Sequence, residues 1–194
     1  MKNLYNPLLR GIVSICLFIF LKSLISYVVL SSFATLSIDA QFNHDDVVTA
    51  YYSTGINGLG FREKNSKQSE TFSGGERSSQ VIYLNNHVTR RLRIDPGNMA
   101  GSVKLYEIKL SSRFGPDITF DHRQIFENFV PKQTITSYSL ESDHLLVTTD
   151  SPDPYLTLKG NLVLTNPFLS FFLPLLFALL FFVFPTTSHC LPLM

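Results

Sequence analysis

The chain reads as a mainly β protein, an antiparallel β-sandwich flanked by two transmembrane α-helices. Three observations predict this. Two apolar segments, residues 11–36 and 168–184, bracket the chain; the first carries one charge, Lys22, and the second none. Between them lie short β-branched and aromatic runs separated by Asn-Gly, Gly-Gly and Pro-Gly turn signals. No strand-then-helix alternation appears, which argues against a doubly wound α/β fold.

A helix crosses the hydrocarbon core with about 20 residues, so the first segment is long enough with room for tilt. Lys22 is its weak point, because a lysine at mid-bilayer costs about 2.5–3.5 kcal/mol on insertion scales. The cost falls if the span begins near Leu17 and Lys22 snorkels to the interface. Lys2 and Arg10 precede the span, which predicts a cytoplasmic N-terminus. The rival reading is a cleaved signal peptide cut after Ile38-Asp39-Ala40, a poor small-residue site. The second segment has 17 residues, the short limit for a span, and tolerates Pro174 as membrane helices do. The expected organisation is a cytoplasmic N-terminus and first helix (1–40), an extracytoplasmic sandwich (41–165), then a second helix and short tail (166–194).

Within the middle region, strands are expected in order. Residues 47–53 (VVTAYYS) are β-branched and aromatic, and Asn57-Gly58 marks a turn. Residues 64–77 are polar, contain Gly74-Gly75, and read as a loop. Strands follow at 80–85 and 90–95, the latter ended by Pro96-Gly97-Asn98. In residues 102–110 (SVKLYEIKL) the alternation slips near Tyr106-Glu107. One extra residue there, a β-bulge, keeps Val103, Leu105, Ile108 and Leu110 on the core. Residues 121–130 suit one or two helical turns stopped before Pro131. Further strands are expected at 134–140, 145–149, 155–158 and 162–164.

Composition narrows the function classes. A net charge of +1 lacks the basic excess of a nucleic-acid binder. The two cysteines, Cys16 and Cys190, lie outside the middle region, which therefore relies on packing and holds no thiolate zinc site. No Asn-x-Ser/Thr sequon occurs, which favours a bacterial envelope over a eukaryotic secretory route.

Three segments carry a family resemblance: LRIDPGNMAGSVKLYEIKL (92–110), VVTAYYSTGINGLGFREKNS (47–66) and SPDPYLTLKG (151–160). In order and spacing they resemble the jelly-roll, galactose-binding-like module found beside bacterial cell-envelope glycosyltransferases. A similar module is inserted after the first helix of polytopic envelope polysaccharide proteins. The resemblance implies a jelly-roll-like sandwich facing the periplasm or exterior at the bacterial inner membrane, with a carbohydrate-linked role. Those proteins continue into many more helices or a catalytic domain, whereas here one further span follows. No glycosyltransferase active site is carried over.

Candidate site residues follow from the pattern. Arg91, Arg93 and Asp95 fall on one strand face, opposite Leu92 and Ile94, and suit hydrogen bonds to sugar hydroxyls. The purely structural alternative is cross-strand ion pairing, with Asp95 making an Asx-turn into Pro96-Gly97. Tyr51 and Tyr106 are the leading candidates for an aromatic platform, with Tyr52, Tyr83 and Phe61 behind them. Lys22 is the membrane-embedded polar residue. His44-Asp45-Asp46, Asp121-His122 and Asp143-His144 place carboxylates beside imidazoles, but no spacing fixes them on one face, and no metal is expected. Ser151, His144 and Asp150 form a chance trio without a GxSxG elbow. Gly58-Leu59-Gly60 lacks the third glycine of a dinucleotide loop, so no cofactor is expected.

The sequence thus points to a non-enzymatic, membrane-anchored accessory protein of envelope polysaccharide assembly or modification. It would bind glycan or dock to a polytopic membrane glycosyltransferase, with the lipid bilayer as its constant partner and no nucleic acid. The alternatives are an interaction module without glycan affinity and the truncated front of a longer glycosyltransferase-like protein.

Overall fold

The computed structural model describes residues 7–30, 34–54, 60–84, 89–113, 115–132, 134–162, 164 and 172–183. The chain divides into two compact units, one of Leu30–Thr165 and one of Met1–Val29 with Asn166–Met194.

The first unit is a β-sandwich of two antiparallel sheets. The six-stranded sheet runs β4 (Arg77–Leu84), β1 (Ala34–Phe42), β6 (Gly101–Ser112), β10 (Leu145–Thr149), β9 (Ile135–Leu140), with β7 (Ile118–Asp121) also paired to β6. The five-stranded sheet runs β3 (Ser66–Gln68), β2 (Val48–Thr54), β5 (Thr89–Pro96), β11 (Tyr155–Leu158), β8 (Phe129–Lys132). One core lies between them, formed by alternate residues such as Leu36, Ile38, Leu92, Ile94, Leu105, Ile108 and Leu156. Each such side chain withdrawn from water contributes roughly 1.5–3 kcal/mol.

β1 departs most from expectation. Ala34, Leu36, Ile38, Ala40 and Phe42 are buried and alternate with Thr35, Ser37, Asp39 and Gln41. The strand pairs with β4 on one side and β6 on the other. The sandwich therefore starts before the expected boundary at residue 41, inside the stretch read as apolar span. Averaged hydropathy merged a period-two strand with the helix before it. A signal-peptide cut after Ala40 would remove all of β1 except Gln41 and Phe42, and so take out an interior strand of the larger sheet.

The bulge lies where the slipped alternation placed it. Asp39 pairs with Glu107 and Ala40 with Leu105, which leaves Tyr106 as the extra residue. Val103, Leu105, Ile108 and Leu110 all face the core as a result. The helical turns are α2 (His122–Asn128), whose Asp121 cap accepts from the Gln124 backbone N–H while the Gln124 side chain reaches back to the Asp121 N–H.

The expected loop at 64–77 is more ordered than its composition implied. It contains the end of a 3-10 turn at Glu63–Asn65, strand β3, and an isolated bridge between Asp46 and Phe72. Phe72 is fully buried against Phe42, ring centroids 4.9 Å apart, and so anchors the segment. Of the strand expected at 162–164, the described residues Leu162 and Leu164 are buried and belong to neither sheet. Gly160, at φ +82°, turns the chain away after β11, and Ser112 Oγ donates to the Leu164 carbonyl at 2.9 Å. A short apolar run plugs a core as readily as it joins a ladder. The Asn57-Gly58 turn lies outside the described residues.

Asp46 ties the β1–β2 connection to the β5–β6 turn. Its buried carboxylate accepts from the backbone N–H groups of Val47, Asn98 and Met99 at 2.8–3.3 Å. Gly97 sits at φ +102°, and a Cβ there would lie 2.7 Å from Asp46 Oδ2. Glycine is needed at that position on both counts.

The other unit holds α1 (Pro7–Leu30) and α3 (Leu173–Val183). The described part of α3 has 11 residues. Among the described residues no helix is long and apolar enough to cross a membrane.

Candidate functional site

The strongest cluster of polar and aromatic side chains is built on the five-stranded sheet, away from the core. Leu92 and Ile94 of β5 point inward and are fully buried, which turns Arg91, Arg93 and Asp95 outward. Register brings the rest. Tyr51 on β2 lies opposite Arg93, and Thr157 on β11 pairs with Arg93 from the other side. Tyr155 is then one same-face step along β11 toward Asp95.

The Arg93 guanidinium lies 3.9 Å from the Tyr155 ring centroid and 4.8 Å from that of Tyr51, within cation–π range of both. Its Nε and Nη2 donate to the two oxygens of Asp95, each at 2.6 Å. Nη2 also donates to Asp153 Oδ1 at 2.9 Å. Bidentate arginine–carboxylate geometry fixes both groups. Asp153 adopts φ +72°, a left-handed conformation uncommon outside glycine, between Pro152 and Pro154. That turn sets its carboxylate against Arg93.

The electrostatics are set by burial. Asp95 is only 4% exposed, and loss of solvent pushes its carboxyl above the usual aspartate value despite the Arg93 hydrogen bonds and charge. Burial works against the Arg93 charge as well, but the Asp95 hydrogen bond and the Asp95 and Asp153 charges outweigh it, so Arg93 is raised. The two directions are compatible, since the Arg93 side chain keeps 19% of its surface and Asp95 only 6%. Tyr51 is raised by burial first and by the Asp95 charge second.

Of the residues singled out from sequence, the fold brings together Tyr51, Arg93 and Asp95. Arg91 shares their face and is exposed, at the level of Ser53. Tyr106 lies on the other sheet, in a second cluster. There Arg77 stacks 3.8 Å from its ring centroid and holds Asp39 through Nε and Nη2 at 2.6–3.2 Å. The Tyr106 hydroxyl donates to Gln41 Oε1 at 3.2 Å. His144, beside Tyr106 at 5.8 Å between centroids, hydrogen-bonds Asp143 and holds that carboxyl below its usual value. Lys22 lies on α1 with an exposed side chain.

Tyr155 and Asp153 were missed as partners of Arg93. Both reach it only through the β5–β11 pairing, which no local pattern announces. The structural alternative for Arg93 and Asp95 is also revised: they pair within one strand, not across strands. The Gly97 N–H bonds the Asp95 main-chain oxygen at 3.0 Å, leaving the carboxylate to Arg93.

No group of three His, Cys, Asp or Glu side chains converges on a metal-sized site among the described residues. Asp45 Oδ1 is taken by the Gly74 N–H at 2.7 Å, and His44 Nε2 meets Asp46 at 3.3 Å. Ser151 and His144 lie beyond opposite ends of the five-residue β10, about 17 Å of extended chain, so the chance trio is not assembled. No known protein-family model matches the chain, and no curated protein matches it.

Proposed function

We propose that this chain is a non-enzymatic, membrane-tethered β-sandwich that binds carbohydrate at the Arg93 face and serves envelope polysaccharide assembly or modification. The observation that carries the reading is the Tyr51–Arg93–Tyr155 stack braced by Asp95 and Asp153. It combines aromatic surface with carboxylates and a pinned guanidinium on a rigid sheet, which suits the apolar faces and hydroxyl edges of a sugar ring. Sheet-mounted side chains locked by bidentate pairing need little ordering on binding, so weak individual contacts add usefully.

Tethering rests on sequence. With β1 taking residues 34 onward, residues 11–33 still supply more than the roughly 20 that a span requires, and Lys2 and Arg10 precede them. Such an anchor holds the sandwich near membrane-attached glycan and raises its effective concentration there. The jelly-roll resemblance fits a topology in which β11 lies between β5 and β8, and β10 between β6 and β9, so that non-consecutive strands are neighbours.

Calorimetric titration of neutral and acidic envelope oligosaccharides into the purified full-length chain in mild detergent tests the proposal. Binding is expected with the native chain and is expected to be lost in Arg93→Lys, which keeps the charge but not the planar fork. Absence of any sugar binding, with co-purification of a polytopic membrane protein, would replace this reading with a docking role. A soluble fragment has to begin near residue 30, because one starting at residue 43 lacks β1.

A further inference from the structure

We infer that the Arg93 face takes uncharged saccharides in preference to anionic ones, and that Asp153 is the residue that sets the preference. The inference rests on the glycan-binding reading of the same face and narrows its ligand class.

A guanidinium carries its N–H donors in one plane and captures a carboxylate best through two parallel bonds. It offers two edges for this: Nε with one Nη, and the two Nη nitrogens together. At Arg93 this chain's own carboxylates occupy both. Asp95 accepts from Nε and Nη2, each at 2.6 Å. Nη2 spends its other proton on Asp153 Oδ1 at 2.9 Å, which sets Asp153 at the second edge. Among the described residues Arg93 Nη1 makes no hydrogen bond, and Asp153 Oδ2 accepts none.

An open nitrogen and an open carboxylate oxygen, on groups already joined, suit sugar hydroxyls, which accept and donate at once. A sugar carboxylate finds no paired edge and meets a like charge. To reach Arg93 in bidentate fashion it has to displace Asp153, the outer of the two acids: that side chain is 62% exposed, against 6% for Asp95. Arg91 and Lys132 share the face at the levels of Ser53 and Tyr155, but both are exposed, where water and salt weaken their pull. Glu63, within electrostatic reach of Tyr51, offsets part of it.

Calorimetric titration of the full-length chain in mild detergent tests this with two ligands. One is a neutral hexose oligosaccharide; the other is the same oligosaccharide with its primary alcohols oxidised to carboxylates. The native chain should prefer the neutral ligand by about tenfold at low salt, and the preference should shrink as salt is added. Asp153→Asn keeps an acceptor for Arg93 and suits the left-handed backbone at φ +72°, which Asn tolerates well. It should tighten binding of the oxidised ligand about fivefold. The salt series needs no variant, so it decides the matter if circular dichroism shows that Asp153→Asn misfolds. Equal or tighter binding of the oxidised ligand to the native chain, lost in Arg93→Lys, overturns the inference and leaves the glycan site standing. A preference that ignores salt, or that survives unchanged in folded Asp153→Asn, also overturns it. Binding of neither ligand overturns both the inference and the reading beneath it.

Discussion

The two sheets carry the same chemical unit in different settings. On the five-stranded sheet Arg93 grips Asp95 and lies against Tyr51 and Tyr155. On the six-stranded sheet Arg77 grips Asp39 and lies against Tyr106. Geometry barely separates them, since both pairs close to 2.6 Å. Solvent does. The Arg93 and Asp95 side chains are 19% and 6% exposed, against 55% and 24% for Arg77 and Asp39. A buried pair is costly to assemble and more costly to break, whereas an exposed pair trades water for little net gain. The first cluster is thereby costly to disrupt and the second cheap.

The largest expected effect is on the buried side. Arg93→Ala leaves Asp95 without its partner and should lower unfolding stability by about 3–5 kcal/mol, read from urea denaturation. An Arg93→Met, Asp95→Leu double variant should recover most of that loss. A single-variant cost near that of an exposed pair would erase the distinction between the clusters.

Acid titration sharpens it with a sign. Burial raises Asp95 above its ordinary value of 3.8, so just above pH 3.8 the folded protein keeps a proton that the unfolded chain has lost. Its contribution to stability therefore falls as pH rises from 3.8 through the folded value. Asp143, held low by the His144 hydrogen bond, runs oppositely: its contribution is present above 3.8 and is lost as pH falls through the folded value. Asp95→Asn should make stability rise more steeply with pH in the window above 3.8, and Asp143→Asn should flatten the rise below it. Urea midpoints across a pH series measure both.

The smallest effect belongs to the exposed pair. Arg77→Ala should cost about 1 kcal/mol or less, shrinking further at high salt. A larger loss would mean that stacking on Tyr106 contributes more than the ion pair.

Much of the fold was readable locally. The β6 bulge followed from an alternation that slips at Tyr106, and α2 from residues 121–130 ahead of Pro131. The outward set Arg91, Arg93 and Asp95 followed from the inward Leu92 and Ile94. β1 was hidden because its own alternation abuts a longer apolar stretch, and a window that spans both sees only hydropathy. The site was half readable. Tyr51 and Arg93 lie on strands whose faces the sequence assigns, but their meeting depends on register. Asp153 and Tyr155 join through a strand more than 50 residues away in sequence, and Tyr106 was assigned to a surface that lies on the opposite sheet.

The contrast between the faces has a direct binding readout. Sugar affinity of the full-length chain can be compared between Tyr155→Ala and Tyr106→Ala, each checked for folding by circular dichroism. If the Arg93 face is where glycan docks, the first change abolishes binding and the second leaves it within twofold of the native chain. Equal losses from both, or a loss confined to Tyr106→Ala, would place the ligand elsewhere and contradict the assignment.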